Sequence, residues 1–176
     1  MTSLLQVVIN GILLGSMYGI AAAGLSLIFG TMRIIFLAQG TVIVFFAFVV
    51  YWLFVKANID PYLCLLIVVP FAFLVGLGLF YALFMRAAAL EDKNVSLLIA
   101  VGLMYLIENA ILKVWSASPR GLDISYSSAV ISGWGLRIPW LRVALFGLAL
   151  VSGLVVYLFL QKTRLGMAVR AAAEDM

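Results

Sequence analysis

Histidine is absent from this chain, cysteine occurs once, and only 10% of its 176 residues are charged. Without histidine there is no imidazole for acid–base work, and the commonest metal ligand is missing. A single cysteine excludes an internal disulfide and any multi-thiolate metal site. No Walker-type phosphate loop and no Gly-x-Ser-x-Gly elbow occurs, so the sequence carries no motif for enzymatic chemistry and calls for no cofactor. Charge is scarce as well: a soluble domain carries about 25%, and a chain with so little polar surface cannot stay in water. What it does have is hydrocarbon, at 66% hydrophobic residues and a mean hydropathy of +1.25. The membrane is its solvent. The net charge of +4 comes from scattered cations without a basic stripe, which argues against nucleic acid as a partner. Cys64 sits in an apolar run and reads as a small packed hydrophobe. No Lys or Arg precedes the first apolar run, so that run is expected to be a permanent span rather than a secretory leader.

A hydrocarbon core about 30 Å thick takes about 20 apolar residues per helix. Five windows reach that length, at residues 4–29, 34–55, 61–85, 95–115 and 141–160. Only helices satisfy their own backbone in lipid over such lengths. The expected fold is therefore all-α, a polytopic helical membrane protein with about five transmembrane helices over residues 1–160, followed by a charged tail at 161–176. An odd number of crossings puts the termini on opposite sides. With the tail inside, Arg33, Arg86, Lys93, Lys162, Arg164 and Arg170 fall on the inner side, and Lys56, Lys113, Arg120, Arg137 and Arg142 on the outer. That cation bias is slight. Trp52, Trp115, Trp134 and Trp140 all fall at the outer boundary, as an interfacial belt requires.

Polar and small residues within the spans are the candidates for function. Gly11, Gly15 and Gly19 recur every four residues with Ser16 beside them, a face on which another backbone can approach closely. Asn10 and Gln6 lie on the same helix and can line a water-filled path or bond a neighbouring helix. Gln39, Gly40 and Thr41 suggest a break in the second span, which lipid tolerates only where the freed backbone faces protein or water. A polar contact between helices is the competing account. Pro61 suits the first turn of the third span, and Pro70 should kink it. Glu108 and Asn109 stand in the middle of the fourth span, where a carboxylate belongs to a polar pathway or to a structural pair. Lys113, five residues on, is placed to snorkel outward. The connection 116–139, with Pro119, Ser125 to Ser128 and a Gly133-Trp134-Gly135 turn, leaves room for a small hairpin. In the tail, Gly166 can end the incoming helix and let residues 167–175 form a short one. Such a helix can dock a cytoplasmic partner, or simply fray as a cationic tail that fixes orientation.

Three blocks carry a resemblance. The run Ile9-Asn-Gly-Ile-Leu-Leu-Gly-Ser-Met-Tyr-Gly-Ile-Ala-Ala-Ala-Gly-Leu-Ser-Leu-Ile-Phe-Gly30 resembles the first-span signature of the permease subunits of bacterial ABC importers for branched-chain amino acids. Leu97-Leu-Ile-Ala-Val-Gly-Leu-Met-Tyr-Leu-Ile-Glu-Asn109 is similar to that family's central span. The terminal Gly166-Met-Ala-Val-Arg170-Ala171, closing on Glu174-Asp175, is similar to its cytoplasmic coupling loop. One block departs: where the family usually runs Asn-Phe-Ala-His-Gly, this chain has Phe36-Leu37-Ala38-Gln39-Gly40. The family also continues with further spans, so the chain resembles the front part of a permease.

The resemblance implies a bacterial inner-membrane protein, with its N-terminus outside and its tail in the cytoplasm. It implies a second permease subunit, cytoplasmic ATP-binding subunits and a periplasmic solute-binding protein as partners, besides membrane lipid. Asn10, Ser16, Gln39, Gly40, Thr41, Glu108 and Asn109 are then candidates for the translocation path. Gly11, Gly15 and Gly19 would serve packing, and Gly166, Arg170, Ala171, Glu174 and Asp175 coupling to the ATPase, with hydrolysis on the partner and no enzyme here. The other readings are a permease for urea, amides or a sugar, a non-transporting scaffold, and a membrane enzyme on lipid-linked substrate, for which Glu108 is the only mid-span acid.

Overall fold

The computed structural model describes residues 2–32, 34–85, 93–116, 118, 121, 130–133 and 136–174. In chain order its elements are α1 (Thr2–Met32), α2 (Gln39–Ala57), α3 (Pro61–Leu79), a π-helical turn (Phe80–Phe84), α4 (Lys93–Trp115), strands β1 (Val130–Gly133) and β2 (Leu136–Pro139), α5 (Trp140–Lys162) and α6 (Arg164–Glu174). Five stretches are long and apolar enough to cross a membrane: Leu4–Met32, Gln39–Ala57, Pro61–Phe84, Asn94–Trp115 and Trp140–Lys162. Their outward faces are hydrocarbon too, with Leu4 74% exposed and Leu66 75%. A helix that is apolar all round belongs in lipid. The protein is a multi-pass helical membrane protein.

The chain divides into two compact units, Met1–Arg33 with Asp123–Met176, and Ile34–Leu122. In the first, α1 packs along α5, and both β2 and α6 also touch α1. Arg142, near the start of α5, reaches Asn10, near the start of α1. The element that follows α5 is back against α1 as well, so the two long helices run parallel. The small antiparallel β1–β2 ribbon pairs Ile131 with Ile138 and Ser132 with Arg137, the one departure from an all-helical fold among the described residues. Trp134 and Gly135 at its turn, and Pro119 and Ser125 to Ser128 before it, lie outside the described residues.

In the second unit, α2 packs against both α3 and α4. Ala38, just ahead of α2, shares a buried cluster with Ala100 and Leu103 of α4 and with Ile34 and Phe84. Further along α2, Phe45 and Phe48 meet Trp115 at the far end of α4. α2 and α4 are therefore parallel. The turn to α3 is short: Asn58 takes a left-handed φ of 53° to close α2, and the Asp60 side chain accepts from Tyr62 N at 2.9 Å to start α3 at Pro61. Asn tolerates that backbone, Asp is a strong cap, and Pro fits the first turn. α2 and α3 are consequently antiparallel, and Phe46 meets Phe71 across them.

Two expectations about helix boundaries shift. The second apolar window begins at residue 34, yet the helix starts only at Gln39. Residues 34–38 form a non-helical lead-in, held by Leu37 N donating to Ile35 O at 3.0 Å and Gln39 N to Phe36 O at 3.2 Å. Its apolarity serves the core, where Ile34 and Ala38 are buried. Gln39-Gly40-Thr41 is thus the first turn of α2, not an interruption within it. At the other end, the fifth long helix stops at Thr163 rather than at Gly166, and Gly166 lies inside α6. Arg33, Arg86, Glu91 and Asp92 lie outside the described residues.

Candidate functional site

The joint between α5 and α6 is built on one side chain. Thr163 N donates to Phe159 O at 3.1 Å, and its hydroxyl donates to the same carbonyl at 2.6 Å, which closes α5. The same hydroxyl accepts from Gly166 N at 2.9 Å, and Met167 N donates to Thr163 O at 3.0 Å, which opens α6. Threonine as N-cap of a helix fits its preference for that position. Gly166 is buried against the end of α5. A Cβ there would lie 2.5 Å from Leu160 Cα and 2.6 Å from Leu160 O, and would also strike Phe159 O. Only glycine permits so close a return. Beyond the joint, Arg164, Leu165, Met167, Arg170 and Ala171 are exposed, while Val169 is half-buried. Glu174 closes α6. Asp175 lies outside the described residues.

On α1, nothing described lies within 4 Å of a Cβ built at Gly11, Gly15 or Gly19. That small-residue face therefore has no neighbour within the described chain. The Ser16 hydroxyl donates to Leu13 O at 2.7 Å and is satisfied by its own helix. Asn10 is different: its Oδ1 accepts from Arg142 Nη1 at 2.9 Å, with both residues half-buried. A guanidinium in a span is stabilised by an acceptor of this kind. Arg142, assigned from sequence only to the outer cations, is thus an internal partner of a candidate path residue. No local signal points to a pair 132 residues apart.

In the second unit, Gln39 and Thr41 are half-buried and Gly40 exposed at the foot of α2. Glu108 and Asn109 are exposed in the middle of α4. Asn109 Nδ2 donates to Tyr105 O at 2.7 Å, and among the described residues Glu108 has no ion-pair partner. A carboxylate at mid-span costs about 2.5–3.5 kcal/mol on insertion scales. The seven candidate path residues do not form one cluster within a single unit: Asn10 and Ser16 belong to the first, and Gln39, Gly40, Thr41, Glu108 and Asn109 to the second. The three described tryptophans lie at or near helix ends. Lys56 Nζ sits 4.0 Å over the Trp52 ring near the end of α2, Trp115 stacks on Phe48 at the end of α4, and Trp140 opens α5.

Five apolar spans with a capped, partly exposed helix at the end of the fifth define a polytopic membrane component rather than a soluble catalyst. The family model described as branched-chain amino acid transport system / permease component matches residues 7–176, and the chain belongs to that family. It is also similar to the high-affinity branched-chain amino acid transport system permease protein BraD of Pseudomonas aeruginosa, with 24% identity over 183 residues. The match takes in 98% of this chain and 60% of that protein, so the chain spans about three fifths of its relative's length. No solved structure matches the chain. The family is one of transport components, not of enzymes.

Proposed function

We propose that this protein is a membrane-spanning permease subunit of an ATP-driven ABC importer for branched-chain amino acids. The observation that carries the reading is the family match, which runs unbroken from α1 through α6. In this reading residues 1–160 form part of the translocation path in a bacterial inner membrane, with the N-terminus outside. Residues 161–176 are a cytoplasmic coupling segment. A periplasmic binding protein delivers the solute, a second permease subunit completes the path, and ATP-binding subunits grip α6. Its exposed face, with Arg164, Met167 and Arg170, offers both charge and hydrocarbon to such a partner. The Asn10–Arg142 bond, the foot of α2 at Gln39, Gly40 and Thr41, and the exposed Glu108 and Asn109 supply polar groups for the path. Ser16 contributes less, since its hydroxyl is spent on its own helix.

The test is Arg170→Glu in the assembled transporter. Reversing an exposed charge on α6 should leave membrane insertion intact and abolish solute-stimulated ATP hydrolysis. Stimulation at the wild-type level would refute the docking role. Uptake of leucine, isoleucine and valine, measured beside urea and a sugar, identifies the solute.

A further inference from the structure

We propose that the outward face of α4 bearing Tyr105, Glu108 and Asn109 lines an aqueous path and receives the ammonium group of the transported solute. The inference rests on the transport reading above and assigns a chemical role to one helix face. On α4 the buried residues are Ser96, Ala100, Leu103 and Ile111, a stripe centred near Ile107. At about 100° per residue, Tyr105 and Asn109 lie roughly 160° from that centre and Glu108 roughly 100°. All three are exposed. This is the side of α4 turned away from the packing of its own unit. Facing hydrocarbon it would strand a carboxylate, whereas intramembrane acids face a bundle interior or a water-filled cavity.

The chemistry of the face selects one end of a zwitterion. The Asn109 amide commits its Nδ2 to Tyr105 O at 2.7 Å, which leaves Oδ1 as its acceptor, one position along the helix from the Glu108 carboxylate. The Tyr105 phenol is 57% exposed one turn away. Carboxylate, amide oxygen and phenol oxygen are three acceptors, and a primary ammonium brings three donors. The described residues of this unit include no arginine, and Lys113 is about 7.5 Å further along the helix axis at 1.5 Å per residue, so the set is not made for a carboxylate. Leu98 and Leu112 are exposed on the same side, one to either end. They give hydrocarbon contact to an apolar side chain attached to that ammonium.

The protein supplies a clean background for labelling, because its single native thiol, Cys64, is fully buried. Single cysteines at Tyr105 and Asn109 are compared with one at Leu66, which is 75% exposed on the wholly apolar α3. The complete transporter in membrane vesicles is treated with a charged, water-soluble methanethiosulfonate. The Tyr105→Cys and Asn109→Cys proteins should react at least about tenfold faster than Leu66→Cys, the contrast between water and hydrocarbon. Leucine should slow that reaction, and its des-amino analogue, 4-methylpentanoate, should not. Glu108→Gln should raise KM for leucine about tenfold, the loss of one charge-assisted contact, and Glu108→Asp should restore part of it. Equal labelling at all three positions, or a KM unchanged in Glu108→Gln, overturns the proposal, and so does equal protection by 4-methylpentanoate. If wild-type vesicles accumulate no branched-chain amino acid, the functional reading fails separately. In that case fast labelling without leucine protection rejects the ammonium role, and slow labelling rejects the aqueous face.

Discussion

At Gly166 a single methyl group decides whether α6 can return against α5. The obstacle to a side chain there is backbone, the Leu160 carbonyl oxygen at 2.6 Å and its Cα at 2.5 Å, and backbone cannot swing aside as a side-chain tip can. Gly166→Ala should therefore lower stability by about 1–3 kcal/mol, in the range of overpacked sites, read as a lower unfolding midpoint in detergent. Gly15→Ala, where the new methyl meets nothing within 4 Å, should show no such loss in the isolated chain. The comparison separates a glycine needed for contact within this chain from one whose face is open. Asn10 makes the second residue-scale case. Its Oδ1 holds Arg142 at 2.9 Å between parallel helices. Polar contacts between membrane helices are worth about 0.6 kcal/mol on average and up to about 1.7 kcal/mol. Asn10→Leu should cost that much or more, because the guanidinium is left half-buried without its acceptor. Unfolding of Asn10→Leu, Arg142→Leu and the double variant should give a coupling energy of that size; strict additivity would show the contact to be energetically empty.

At the scale of elements, the helix ends show how residue chemistry sets length. Thr163 ends α5 and begins α6 with one hydroxyl, which donates to Phe159 O and accepts from Gly166 N. Thr163→Ala removes both and should cost about 1 kcal/mol of helix stability, while Thr163→Ser should keep it. Hydrogen exchange at Gly166 and Met167 would report the difference; equal protection in all three proteins would dismiss the cap. The spans themselves were legible because twenty apolar residues in lipid have one solution. Their ends were less so. Residues 34–38 are as apolar as the helix that follows, and hydropathy cannot tell a buried lead-in from a helical turn; the contact of Ile34 and Ala38 with α4 makes the distinction. Glycine in the tail suggested a break at Gly166, but a glycine is also what close packing needs, and the true break uses the neighbouring threonine. The ribbon at 130–139 had only turn residues to announce it. Of the candidate site, single polar residues such as Glu108 and Asn109 stand out against an apolar background. Arg142 as the partner of Asn10 was invisible, since the pairing is made by packing across 132 positions.

At the scale of the whole molecule, helix direction supplies the strongest check on how the chain threads the membrane. Within one unit α1 and α5, the first and fifth spans, are parallel. Within the other, α2 and α4, the second and fourth, are parallel, and α3 runs against α2. A chain crossing on every span needs just this parity, and no choice of side is required to see it. Interfacial chemistry agrees at the shared end of α2 and α4, where Trp52 with Lys56 and Trp115 with Lys113 supply the aromatic and cationic anchors expected at a membrane boundary. If all five candidate spans cross, Thr2 and Ala171 stand in different compartments, and the proposed coupling role of α6 puts Ala171 in the cytoplasm. A cysteine at Thr2 should therefore react with an impermeant thiol reagent from outside intact cells. A cysteine at Ala171, exposed on α6, should react only after the cells are opened. Labelling of both from outside would contradict the five-span parity. Labelling of Ala171 alone from outside would keep the parity and reverse the orientation, placing Arg170 where no ATP-binding subunit can reach it.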